Sequence, residues 1–176
     1  GYRRAGLPGR ARSGQQPFEG IAPEIGKLES LTRLSLNDNK LTEVPLEIDD
    51  LINLEHLSLN NNQFKELSPH GMDGLKTLSL NDNQLTTLPP QIGDLRELEL
   101  LNVQHNRLTT IPSTMVKLVK LNKHYPWDRL SYEARGADRR FSLRHNLLTT
   151  LPPEILQVRE EWGIDFAENP VHRYFW

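Results

Sequence analysis

Leucine and other apolar residues recur along this chain at a fixed spacing, with polar residues between them. From Leu75 to Arg96 the sequence reads LKTLSLNDNQLTTLPPQIGDLR, and its skeleton is L-x-x-L-x-L-x-x-N-x-L-x-x-L-P-x-x-I-x-x-L. The same skeleton appears from Leu31 to Leu51 and from Leu98 to Leu118. A repeat of roughly 20 to 29 residues indicates a stack of similar coils rather than a globular core.

Each part of the repeat predicts one part of a coil. In L-x-L the leucines alternate with polar residues, which is typical of a short strand that buries one face. The later L-P-x-x-I-x-x-L segment predicts a 3₁₀ or short helical turn on the opposite, convex side. The asparagine between them is predicted to satisfy backbone groups left unpaired in a buried turn. Because no coil buries its apolar edge alone, the strands are expected to form a parallel sheet with a spacing of about 4.8 Å.

Departures from the repeat divide the chain into segments. Residues 1–17 form a basic arm rich in Gly, Pro and Arg, which is predicted to lack regular structure. Residues 18–171 form the repeat domain, and its third repeat, Leu54 to Leu67, is about two residues short. About seventeen additional residues, 124–140, interrupt the sixth repeat. Residues 172–176 form an aromatic tail.

The repeat resembles that of intracellular leucine-rich-repeat proteins of the L-P-x-x-I class, similar to Ras-suppressor-type proteins and their plant relatives. This resemblance covers residues 18–171. It implies an α/β solenoid of about six to seven coils, with a curved parallel sheet on the concave side and short 3₁₀ or helical segments on the convex side. It also implies binding to other proteins, but no particular partner, because the motif residues are all structural.

Two absences in the composition bear on location. The chain has no cysteine, so disulfide-bonded caps are excluded and a reducing, intracellular setting is favoured. No apolar run is long enough to predict a membrane span. The expected location is therefore the cytoplasm, or an organelle such as the mitochondrion if the arginine-rich start is the remainder of a targeting segment.

Charge is segregated along the chain, although the formal net charge is only −2. Residues 1–18 carry a net charge of about +4 and residues 19–100 one of about −9. Residues 101–145 carry about +6 and residues 146–176 about −3. The positive segment predicts a basic patch made of Lys117, Lys120, Lys123, Arg129, Arg135, Arg139, Arg140 and Arg144. Such a patch suits an acidic protein or RNA phosphates, and the alternative is a solvated face without a partner.

Aromatic and arginine side chains favoured at interfaces lie mainly outside the repeat frame. The outward positions of the strands carry mostly small polar residues, so the middle of the concave face gives little indication of a tight site. We therefore predict partner binding through the insertion, its flank and the C-terminal tail, at Tyr125, Trp127, Arg129, Tyr132, Arg135, Arg139, Arg140, Arg144, Tyr174, Phe175 and Trp176. Capping of the apolar core is the alternative role of the tail.

The sequence favours a non-enzymatic interaction protein that is a structural or accessory subunit of a larger intracellular assembly, anchored by its insertion and termini. One alternative is a signalling adaptor that binds a small GTPase or phosphatase through the concave face. Another is an RNA-contacting subunit of a ribonucleoprotein, using the arm and the basic patch.

Motifs of catalysis and cofactor binding are absent from the sequence. There is no glycine-rich phosphate loop, no cysteine nucleophile and no metal-ligand motif, so no cofactor and no metal are predicted. Asp82, His105, His145 and Glu168 occupy the same position of successive repeats and are expected to form a ladder. A solvated charge ladder explains them more simply than a metal or acid–base site.

Overall fold

The computed structural model describes residues 10–12, 21–118, 121, 141–162, 164 and 166–171. Within them, short strands form one parallel sheet in chain order. The strands are β1 (Arg10–Arg12), β2 (Arg33–Ser35), β3 (His56–Ser58), β4 (Thr77–Ser79), β5 (Leu100–Asn102) and β6 (Phe141–Ser142). Repeat leucines are in register across neighbouring strands, since Leu34 pairs with Leu57 and Leu57 with Leu78. The predicted parallel sheet is confirmed.

The sheet begins earlier than the sequence predicts. Arg10–Arg12 form β1, and Ala11 is the register partner of Leu34 in β2, although this part of the arm was expected to lack regular structure. Ala11 therefore stands where the repeat pattern has leucine, so the apolar pattern gave no signal. The edge of β2 offers unpaired N–H and C=O groups that accept a further strand whatever its side chains.

Short helical segments cover the convex side, as the sequence predicts. The 3₁₀ helices are Pro23–Lys27, Leu46–Asp50, Pro90–Asp94 and Ser113–Lys117, and α1 spans Pro153–Trp162. Pro45, Pro89 and Pro112 occupy N-cap positions with φ between −68° and −72°, the value that the proline ring imposes. In the part of the chain that the structure describes, no helix is long and apolar enough to cross a membrane.

The core lies between the sheet and the convex segments and consists of the repeat positions. Leu57, Leu78 and Leu101 are at most 1% exposed, and the side chains of Phe64 and Phe141 are fully buried. Burial of one such side chain contributes about 1.5–3 kcal/mol. Because each coil buries its leucines against the coils on both sides, stability depends on the contacts between neighbours.

A row of buried asparagines, the inner asparagine ladder, closes the turns after the strands. Its members are Asn39, Asn62, Asn83, Asn106, Asn146 and Asn169. Nδ2 of Asn106 donates to the carbonyl oxygens of Leu80 at 2.9 Å and Val103 at 3.1 Å, and Oδ1 accepts the backbone N–H of Leu85 at 3.0 Å. Asn62, Asn83, Asn146 and Asn169 join two coils in the same way, which confirms the predicted structural role of the repeat asparagine.

The short third coil replaces the convex helix with a tight turn. Thr77 follows His56 by 21 residues, whereas His56 follows Arg33 by 23, and residues 65–74 contain no helical segment. Gly71 in this turn has φ +64° and lies against Asp49 of the preceding coil. Glycine is required here for two reasons, since φ is positive and a Cβ atom would lie 2.3 Å from the Asp49 Cα.

Candidate functional site

Polar side chains line the concave side of strands β2, β3 and β4. They belong to β2, β3 and β4 and to the residue two places after each strand. All are half-buried: Arg33, Ser35, Asn37, His56, Ser58, Asn60, Thr77, Ser79 and Asn81. We call these nine residues the concave polar surface. The leucines between them point into the core, as the period of two predicts.

A second row of asparagines, the outer asparagine ladder, runs across the concave polar surface. Oδ1 of Asn37 accepts the backbone N–H of Asn60 at 2.8 Å, and Oδ1 of Asn60 accepts that of Asn81 at 2.8 Å. Oδ1 of Asn81 accepts the N–H of Gln104 at 3.0 Å. A backbone N–H can only donate, so each accepting atom is the amide oxygen. The orientation of the three amides is therefore fixed by the fold.

A chain of side chains also links the coils at the other end of the strands. Nη2 of Arg33 lies 3.5 Å from Nε2 of His56, and Nδ1 of His56 lies 2.9 Å from Oγ1 of Thr77. These contacts order one polar side chain from each of the three strands. The concave polar surface is thus held together along both of its edges.

An ion pair borders this surface at the strand starts. Nζ of Lys76 lies 2.5 Å from Oε1 of Glu55. The hydrogen bond from Lys76 lowers the pKa of Glu55 below its ordinary 4.5, and its charge, with those of His56 and Arg33, acts in the same direction. The hydrogen bond to Glu55 raises the pKa of Lys76 above 10.5. Both side chains are about two-fifths exposed, so solvent screens the pair.

This ion pair predicts a small pH-dependent stabilisation. In a double-mutant cycle of Glu55→Gln and Lys76→Met at pH 7, the coupling is expected to be at most about 0.5–1 kcal/mol. A lowered carboxyl pKa stabilises the fold above its ordinary value, so the coupling should vanish as the pH falls through the folded pKa of Glu55. Urea unfolding at pH 7 and pH 2 measures it. A coupling that persists at pH 2 would contradict the assignment.

On the concave side, the outward side chains are half-exposed from β2 to β4 and buried in β5 and β6. Leu100, Asn102 and Ser142 occupy outward strand positions, yet Leu100 is 4%, Asn102 6% and Ser142 2% exposed. Oδ1 of Asn102 and Oγ of Ser142 are buried, and neither has a hydrogen-bond partner in the described structure. Among β2 to β6, the half-exposed outward side chains within the strands therefore lie on β2 to β4.

A further column follows the strands and turns the backbone. Its members all have φ between +52° and +60°: Asp38, Asn61, Asp82, His105, His145 and Glu168. The predicted ladder forms in part, because the rings of His105 and His145 stack with centroids 4.2 Å apart and an interplanar angle of 15°. The nitrogen lone pairs of nearly parallel rings do not converge on one ion. Among the described residues, no group of three suitable side chains could hold a metal.

Most of the partner-binding residues predicted from the sequence lie outside the described residues. These are Tyr125, Trp127, Arg129, Tyr132, Arg135, Arg139, Arg140, Tyr174, Phe175 and Trp176. Arg144 is described and is half-buried beside β6. Of the predicted basic patch, Lys117 is also described, and its Nζ lies 3.2 Å from Oδ1 of Asp94. Partner binding through the insertion and tail stays a prediction.

The outer asparagine ladder was not predicted from the sequence. Its residues appeared only as small polar outward positions. Their signal is a second asparagine two places before the structural one, in Asn37-Asp38-Asn39, Asn60-Asn61-Asn62 and Asn81-Asp82-Asn83. The burial of the side chains and the hydrogen bonds between coils separate the two roles.

Comparison with protein families matches the repeat region. Residues 29–71 match the model described as leucine-rich repeats in two copies, and residues 73–123 match the model described as a leucine-rich repeat. The two matches together cover just over half of the chain. Comparison with curated proteins gives no significant match.

Solved structures that are similar to this chain are leucine-rich-repeat proteins. A leptospiral protein from Leptospira interrogans shares 31% identity at a TM-score of 0.67, over 85% of this chain and 34% of its own. Two receptor-kinase structures from Arabidopsis share 26% identity with this chain. The GASSHO1/SCHENGEN3 ectodomain, in complex with CASPARIAN STRIP INTEGRITY FACTOR 2, has a TM-score of 0.61 over 85% of this chain and 17% of its own. HAESA, in complex with the peptide hormone IDA and the co-receptor SERK1, has a TM-score of 0.62 over 86% of this chain and 23% of its own. This chain thus spans about a third or less of each.

Proposed function

We propose that this chain, a leucine-rich-repeat protein, is a non-enzymatic protein-binding module whose partner lies on the concave polar surface. The observation that carries the proposal is the outer asparagine ladder, which holds polar side chains of three successive coils in fixed orientations while leaving them half-exposed. Preorganised side chains lose less conformational entropy when a partner binds.

Two features support the concave polar surface over other faces. Its side chains are ordered by contacts between coils, whereas Leu100, Asn102 and Ser142 on the neighbouring strands are already buried. The similar receptor HAESA is described in complex with a peptide hormone and a co-receptor, so a related fold holds protein ligands. Binding to a protein partner is therefore the function that the geometry supports best.

Two more specific functions are also proposed for this protein-binding module. A subunit of a larger intracellular assembly would be anchored through residues 124–140 and the termini, as the sequence suggests. A signalling adaptor of the L-P-x-x-I class that binds a small GTPase or phosphatase would use the concave polar surface. Of these, the adaptor reading relies on described residues, and no observation among them favours RNA.

A matched pair of arginine substitutions tests the proposed surface. Ser79 lies on the concave polar surface and is half-buried, whereas Thr87 is exposed beyond the inner turn of the same coil. Ser79→Arg should block the surface and reduce capture of specific partners from source cells at least tenfold, because the large side chain fills the space that they occupy. Thr87→Arg adds the same charge and should leave capture unchanged.

Quantitative mass spectrometry of the captured proteins gives the readout, and circular dichroism verifies that both variants fold. Equal capture by the two variants and the unmodified chain would refute the proposed surface. Loss with Thr87→Arg alone would place the site outside it.

A further inference from the structure

Building on the proposed function, we infer that the concave polar surface binds an extended peptide segment in the polyproline II conformation, through the main-chain carbonyl oxygens of that segment. The inference rests on which atoms of the outer asparagine ladder are already used. Each Oδ1 accepts a backbone N–H of the next coil. What the amides still present to a partner is their N–H groups.

The hydrogen bonds around the ladder make this donor character specific. Oδ1 of Asn37 also accepts the hydroxyl of Ser58 at 2.8 Å, and Nδ2 of Asn60 donates to the same hydroxyl at 3.2 Å. An amide nitrogen carries two N–H donors, so Asn60 retains one. Within the described structure, Nδ2 of Asn37 and of Asn81 has no partner. Asn37, Asn60 and Asn81, on three successive coils, therefore each retain at least one amide N–H without an acceptor among the described residues.

Nearby charges decide which acceptors fit. Asp38 and Asp82 are exposed immediately after Asn37 and Asn81, so these two positions disfavour a carboxylate acceptor on a ligand. Neutral carbonyl oxygens are the remaining acceptors that a protein segment offers in number. Proline adds to the fit, because it contributes a carbonyl oxygen but no N–H.

Spacing favours polyproline II over a β-strand. Neighbouring coils are about 4.8 Å apart, so Asn37 and Asn81, two coils apart, are separated by about 9.6 Å. In polyproline II, carbonyl groups three residues apart point the same way and repeat every ~9.3 Å. Carbonyl groups on one side of a β-strand repeat every ~6.7 Å. One turn of polyproline II thus spans the two amides.

Peptide display provides the probe for the inference. A library of random dodecapeptides is selected on the intact chain, and the recovered peptides are measured by fluorescence anisotropy against two double variants. Asn37→Asp with Asn81→Asp keeps the oxygens that accept the backbone N–H groups and replaces the outward donors with acceptors. Gln63→Glu with Gln91→Glu makes the same chemical change at two exposed sites.

The recovered peptides should carry prolines at three-residue intervals and bind the Asn37/Asn81 variant at least tenfold more weakly than the intact chain. They should bind the Gln63/Gln91 variant within about twofold. Equal binding to all proteins, or a library that yields no enriched peptide, would overturn the inference. Peptides that bind all three equally but lose binding with Ser79→Arg would overturn the donor mechanism and leave the proposed surface standing. Peptides that also bind the Ser79→Arg variant as tightly as the intact chain would contradict both the donor mechanism and the proposed surface.

Discussion

Replacing Asn106 with alanine is expected to lower the free energy of unfolding by about 3–4 kcal/mol, because it removes both halves of a buried link between coils. The side chain accepts the N–H of Leu85 and donates to the carbonyl oxygens of Leu80 and Val103. Asn106 is 6% exposed, so water cannot replace these bonds. Such a loss is a large fraction of the about 5–15 kcal/mol that stabilises a typical domain. Urea unfolding followed by circular dichroism measures it.

Asn53→Ala is the matched control for Asn106→Ala. Asn53 is exposed and donates one hydrogen bond, at 2.9 Å, to the carbonyl oxygen of Glu29. Its replacement should cost less than about 1 kcal/mol, because solvent can supply the lost partner. Similar losses for the two variants would mean that the inner asparagine ladder does not hold the coils together.

Gly71→Ala is expected to destabilise the chain by about 2–4 kcal/mol. The residue has φ +64°, where an L side chain costs about 1–2 kcal/mol. The added Cβ would also lie 2.3 Å from Cα of Asp49, and relieving that overlap requires a shift of the backbone. Urea unfolding again measures the change.

Gly74→Ala tests whether the effect arises from the site or merely from removal of a glycine. The nearest atom to a Cβ at Gly74 is the carbonyl oxygen of Leu54, at 3.5 Å, which is ordinary van der Waals contact. Gly74→Ala should therefore change stability by less than about 1 kcal/mol. If Gly71→Ala were equally harmless, the close approach of the third coil to Asp49 would be wrong.

Sequence alone predicts the repeat frame well, because the frame follows from local spacing. The alternation around Leu34 and Leu57 gives the strands, the prolines at 45, 89 and 112 mark the convex turns, and the inner asparagines mark the buried turns. These features need only the periods of strand and helix and the demand that buried polar groups be paired.

Other features depend on contacts between coils and cannot be read from local spacing. The backbone of Arg10–Arg12 joins the sheet because β2 has an open edge, although Ala11 stands in place of a leucine. The two roles of asparagine in Asn60-Asn61-Asn62 differ in burial and in which coil each side chain contacts. Burial of Asn102 and Ser142 at outward positions is likewise invisible in the pattern.

The two asparagine ladders are expected to have different roles. The inner ladder uses both ends of each amide for the fold, so its loss should unfold the stack. The outer ladder uses the oxygen of each amide for the fold and leaves N–H donors for a partner. If the proposed function holds, stability and binding should therefore respond to different substitutions.

Photocrosslinking in source cells tests whether a partner protein binds on the concave polar surface. A photoreactive phenylalanine analogue is placed at Ser58, on the concave polar surface, or at Gln91, which is exposed on the convex 3₁₀ helix Pro90–Asp94. Irradiation is expected to join a partner protein to the Ser58 variant, and the Gln91 variant is expected to form no such adduct. Adducts formed from Gln91 but not from Ser58 would contradict the account.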